Sequence, residues 1–228
     1  MIARLERSLI IKYAASDSKF VILAKFVATM QLLIKQPTII APESPYHLQK
    51  RDLFIEDGII KSIEPTLKIT GIEVMDAHND LVSIGWMDIG VQIGEPGLEH
   101  QEDLQSVTKA ASAGGFTAIA SFPNTDPTVH TRSEVNYLKS FSNRSIVDIK
   151  PLGAISKNGH GKDLTEFYDM KAAGAVGFSD GKYSLQHTGL LIRALQYAKG
   201  ANSLILNHPN DLSIAHGGQM NEGSVSTA

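Results

Sequence analysis

From Trp86 onward, apolar runs of strand length alternate with segments of helical period, and this alternation restricts the chain to parallel βα units. The strands are expected near Trp86–Gln92, Thr117–Ser121, Val147–Leu152, Ala175–Phe178 and Leu204–Asn207. Between them, Gln101–Ala113 reads as a helix that opens beside Glu99, Glu102 and Asp103 and stops at Gly114. Ser133 can cap a second helix whose Val135, Leu138 and Phe141 face inward. Leu190, Leu191, Ala194, Leu195 and Ala198 mark the apolar face of another.

Upstream the pattern differs. Residues 30–84 read as short strands and turns: Leu32–Ile34, then Leu53–Ile55 and Ile59–Ile63 folded about the Glu56-Asp57-Gly58 turn. Residues 1–29 carry Arg4, Arg7, Lys12, Lys19 and Lys25 against Glu6 and Asp17. Their apolar run Phe20–Leu23 is cut off by Lys25, which argues against a secretory signal and a membrane span. We therefore read 1–29 as an extension upstream of the true start, with Met30 opening the first strand. At 43% hydrophobic, 20% charged and net charge -3, the composition is that of an ordinary globular chain and implies neither a nucleic-acid nor a membrane partner. With no cysteine, thiolate metal sites and disulfides are excluded. A cytoplasmic location is expected.

Four motifs carry a resemblance: Gly85-Trp86-Met87-Asp88, Glu95-Pro96-Gly97, Gly114-Gly115-Phe116-Thr117 and Phe122-Pro123-Asn124-Thr125. With them the chain resembles the dihydroorotases, members of the amidohydrolase superfamily. The resemblance implies an α/β fold: a partial TIM-type (β/α)8 barrel over residues 85–228, preceded by part of a small β-sandwich over 30–84. Since a closed barrel needs eight strands and about 250 residues, the expected units cannot close one, and the chain reads as incomplete.

Relatives carry P-G-x-x-D-x-H-x-H-x-R-E-P-G where this chain has Gly90, Gln92 and Gly94 in place of both histidines and the arginine. In the family the histidine pair holds zinc, whose bound hydroxide attacks a ring amide. Glycine offers no ligand atom, and glutamine offers a neutral amide oxygen that binds zinc poorly beside imidazole. Asp180, in Phe178-Ser179-Asp180-Gly181, and His208, in Leu206-Asn207-His208-Pro209, match family metal-ligand positions. As isolated residues they read as a turn aspartate and a strand-end histidine. Asn124 matches the family asparagine that binds substrate carboxylate. With Gly94 in the place of its arginine partner, it reads as a turn residue. Gly217–Gly223 resembles a family motif after the fifth strand.

The resemblance thus implies a dihydroorotase-like protein of pyrimidine biosynthesis without catalysis or bound zinc. It also implies a structural partnership with aspartate transcarbamoylase and a homo-oligomer when complete. The alternative is an active zinc-dependent cyclic amidohydrolase, interconverting dihydroorotate and N-carbamoyl-L-aspartate, with Asp180 and His208 as altered ligands. A third is a fragment without a fold of its own. Gly159-His160-Gly161-Lys162 lacks the pattern of a P-loop, and the remaining histidines show no ligand spacing.

Overall fold

The computed structural model describes residues 31–215, 218 and 223, together with the strands at 9–12 and 20–22. The chain divides into two compact units, Met1–Ile89 with Leu104–Ala120 and Ser140–Ile149, and Gly90–Asp103 with Ser121–Lys139 and Lys150–Ala228.

The first unit carries two four-stranded sheets. One pairs β1 (Leu9–Lys12), β2 (Phe20–Ile22), β4 (Thr38–Ile40) and β8 (Leu81–Ile84) in the order β2-β1-β8-β4. The other pairs β3 (Gln31–Lys35), β5 (Asp52–Glu56), β6 (Ile59–Glu64) and β7 (Glu73–Asp76) in the order β6-β5-β3-β7. As expected, β5 and β6 form an antiparallel hairpin, with Glu56 opposite Ile59 across the Asp57-Gly58 turn. Leu32, Ile34, Ile39, Leu53, Ile55 and Val82 form a common core. Each such side chain removed from water stabilises the unit by about 1.5–3 kcal/mol. Strands at 9–12 and 20–22, where no element was expected, are paired antiparallel with each other, and β1 also pairs with β8.

A five-stranded sheet follows in the order of the sequence: β9 (Trp86–Val91), β10 (Phe116–Ser121), β11 (Asp148–Gly153), β12 (Gly177–Phe178) and β13 (Leu204–Ile205). All five expected strands are present, the last two shorter than read, and β11-β12-β13 pair in parallel. This is the partial-barrel arrangement that the βα alternation predicts.

The helices are α1 (Leu104–Ala113), α2 (Arg132–Ser142), α3 (Phe167–Ala173), α4 (Thr188–Gly200) and the short α5 (Leu212–Ala215). Two expectations need correction, and one helix was missed. The cap of α2 is Thr131, not Ser133: its Oγ1 accepts from the Ser133 amide at 3.2 Å, and Glu134 accepts from the Thr131 amide at 2.8 Å, a capping box. On α4, Leu190, Ala194 and Ala198 are buried but Leu195 is 50% exposed, because the burying stripe follows every fourth residue. Helix α3 was not anticipated. Its Phe167 stacks on Phe178 at 3.9 Å and on Tyr197 at 4.8 Å, contacts distant in sequence, and Gly174 closes it in the left-handed conformation.

Candidate functional site

Every candidate residue sits where its strand ends: Gly90 one residue before the end of β9, Gln92 just beyond it, Asn124 after β10, Asp180 after β12 and His208 after β13. In barrels of this kind the carboxyl ends of the strands carry the site.

Asp180 is its buried centre, 3% exposed. Its Oδ1 accepts from the Ser156 amide at 2.9 Å, and its Oδ2 from the Ser156 hydroxyl at 2.6 Å. The same hydroxyl accepts from the Gly161 amide at 2.7 Å, so one serine ties the loop after β11 to the carboxylate after β12. Burial pushes the Asp180 carboxyl above the ordinary carboxylate range, and the hydrogen bonds from Ser156 and the Ile155 backbone pull against that shift.

Asn124 is more than a turn residue. Its Nδ2 donates to the Asp180 carbonyl at 3.1 Å and its Oδ1 accepts from the Lys182 amide at 3.0 Å, so its side chain clasps the turn that presents Asp180. His208 is solvent-exposed, and among the described residues its ring has no hydrogen-bond partner.

Gly90 and Gly94 mark where the chain departs from a zinc-binding pattern. Gly90 has φ +91°, and a Cβ there would come 2.8 Å from the Phe122 ring. A Cβ at Gly94 would come 2.3 Å from the Leu98 carbonyl oxygen and 2.4 Å from that of Glu102. Backbone therefore fills the space an arginine would need at its root. Gln92 is exposed, and among the described residues no three histidine or acidic side chains gather as a metal-ligand group. With Asp180 engaged by Ser156 and no donor atom at Gly90, the described residues do not fit a zinc pair.

Beside Asp180 lies a cavity of about 530 Å³ walled by the Gly159–Lys162 loop, Tyr183 and His187. Sequence reasoning did not single out Ser156, and it named Phe122 only as part of a motif, without a role beside Gly90. Ser156 does carry one legible signal, a polar residue placed just beyond a barrel strand.

Strand order and the placement of polar residues at strand ends define part of a (β/α)8-type barrel. Solved structures share that fold. The L-hydantoinase (dihydropyrimidinase) from Arthrobacter aurescens superposes with a TM-score of 0.71 at 22% identity, over 82% of this chain and 42% of its own. A crystal structure of a dihydroorotase gives 0.53 at 12% identity, over 79% of this chain and 51% of its own.

The particular family follows from sequence: the Dihydro-orotase-like model matches residues 80–228, and the chain belongs to that family. The dihydroorotase of Pelotomaculum thermopropionicum is 39% identical over 198 residues, 87% of this chain and 46% of its own length. That of Geobacter sulfurreducens is 38% identical over 200 residues, 87% of this chain and 47% of its own. The chain thus spans about half the length of the curated relatives it matches.

Proposed function

We propose that this is a non-catalytic dihydroorotase-like protein of pyrimidine biosynthesis, acting in the cytoplasm as a structural partner of aspartate transcarbamoylase and oligomeric when complete. The observation that carries the reading is Gly90. Its place in the motif is the family's first metal histidine, it supplies no donor, and the Phe122 ring stands against the point where a side chain would begin. Gln92 and Gly94 extend the same loss to the second histidine and to the carboxylate-binding arginine.

A second reading is favoured by Asp180 and His208, which follow adjacent parallel strands at family ligand positions. On that reading a zinc-dependent enzyme interconverts dihydroorotate and N-carbamoyl-L-aspartate through an altered site. Zinc calorimetry and a dihydroorotate hydrolysis assay on the full-length protein separate the two. No heat beyond dilution and no zinc-dependent rate are expected. Stoichiometric zinc with turnover would refute the proposal. Partnership is tested by sedimentation with aspartate transcarbamoylase, where independent migration of the two proteins would refute it.

A further inference from the structure

In the first unit, β8 carries a ladder on both of its edges. On one side Leu81, Val82 and Ser83 pair in parallel with Thr38, Ile39 and Ile40 of β4. On the other side β1 pairs antiparallel, from Leu9 opposite Ile84 to Lys12 opposite Leu81. The described core side chains Leu32, Ile34, Ile39, Leu53, Ile55 and Val82 come from β3, β4, β5 and β8. β1 joins that unit along the main chain of β8, and β2 in turn pairs with β1.

Removing β1 would leave a row of unpaired amides and carbonyls along β8. Apolar side chains flank that row, since Leu81 is 44% and Ile84 51% exposed even with β1 paired. An open edge of this kind is a template for another chain. A second β8 suits it, because Leu81-Val82-Ser83-Ile84 matches Leu9-Ile10-Ile11-Lys12 in length and in apolar, β-branched character. An antiparallel β8–β8 ladder also closes on itself about a twofold axis. With β1 and β2 in place the outermost strand is instead β2, three residues long. In the sequence Lys19 directly precedes β2, Lys25 follows it shortly, and Lys12 ends β1. Short strands and lysines discourage edge-to-edge pairing, because a ladder formed there is brief and must desolvate ammonium groups.

We propose that the β8 edge is a self-association surface for a second copy of this chain, and that β1 and β2 hold it closed within one chain. The surface shares no residue with the site at Gly90, Gln92 and Asp180. Zinc binding, a dihydroorotase rate or independent migration from aspartate transcarbamoylase would therefore overturn the functional reading and leave this one standing.

The full chain is compared with Ile10→Pro/Ile11→Pro by hydrogen exchange and sedimentation velocity. Prolines at successive positions remove donors from both sides of β1, since neighbouring amides of a strand point in opposite directions. At low protein concentration the amides of residues 82–84 are expected to exchange about tenfold faster than in the parent, while those of residues 53–55 in β5 keep their protection. As concentration rises, a species of twice the parent's mass is expected to form and to protect residues 82–84 again. A peptide spanning residues 7–24, added in trans, is expected to reverse that association. A second variant, Ile10→Cys/Ser83→Cys, serves if the prolines prevent folding. The two positions are direct partners across the ladder, and with no native cysteine the introduced pair can bond only with itself. Its disulfide is expected to close within one chain, and the oxidised form is expected to associate less on warming than the reduced form. Unchanged exchange at residues 82–84, no heavier species at any concentration, a bridge that forms only between chains, or equal association in both redox forms would overturn the proposal.

Discussion

Replacing Ser156 by alanine removes the hydroxyl that donates to Asp180 Oδ2 at 2.6 Å and accepts from the Gly161 amide at 2.7 Å. Ser156 is fully buried and Asp180 is 3% exposed, so water cannot readily replace either contact. A hydrogen bond to a charged group contributes about 1.5–3 kcal/mol, and we expect a loss of about 2–3 kcal/mol at neutral pH. The pH dependence has a definite sign. Burial holds the Asp180 pKa above its unfolded value, so the folded state keeps its proton longer and loses stability as pH rises between the two. Without the Ser156 hydroxyl, which opposes that shift, the folded pKa climbs further. The variant therefore loses more stability than the parent as pH rises above the unfolded carboxylate range. Urea unfolding followed by far-ultraviolet circular dichroism across that rise in pH measures both effects. Repeating the substitution in an Asp180→Asn background isolates the charged pair. A neutral-pH loss below about 0.5 kcal/mol, or an equal loss and pH slope with Asp180→Asn in place, would refute the reasoning.

Gly94→Arg restores the family residue yet is expected to lower stability by about 2–3 kcal/mol in thermal unfolding, because its Cβ meets the Leu98 and Glu102 carbonyls. An unchanged melting temperature would show that the backbone gives way freely. At Asp52, burial alone would raise the carboxyl, but hydrogen bonds from Lys35, Leu67 and Gln36 outweigh it and hold the pKa below its usual value. That contribution is present above the unfolded pKa and lost as pH falls through the folded one. Lys35→Met, which breaks the 2.5 Å ion pair, should cost about 3 kcal/mol at neutral pH and move acid unfolding to higher pH. Coincident acid transitions would contradict this. The hydrogen bond to Glu95 is the main cause that pushes the Tyr137 hydroxyl up to about 12. Ultraviolet titration should show a late-ionising component that shrinks in Tyr137→Phe, and an unchanged curve would sink the assignment.

Much of the architecture was legible because its signals are local. The continuous apolar run Leu32–Ile34 of β3, the Asp57-Gly58 turn and the four-residue stripe of α4 each follow from residues near one another in the chain. The cap of α2 was misplaced by two residues, since Thr131 and Ser133 are chemically equivalent candidates and only the amide each can reach separates them. Leu195 belonged to the apolar pattern of α4 yet stands half exposed, because periodicity identifies a stripe and not its width. At the site, Asp180 and Asn124 could be picked out by motif. Their connection through the turn at Asp180–Lys182 could not, since it spans 56 positions along the chain.

By itself, then, the sequence determined the βα alternation, the hairpin and the chemistry missing at Gly90, Gln92 and Gly94, because residue type and local spacing suffice for each. Only the tertiary structure decided that Ser156 engages both oxygens of Asp180, that the Phe122 ring abuts Gly90, and that Phe167 stacks between Phe178 and Tyr197 to seat α3. It also decided that Lys162 and His187 face one cavity. These pairings join separate strand ends and loops, and no local rule relates residues whose proximity is created by packing.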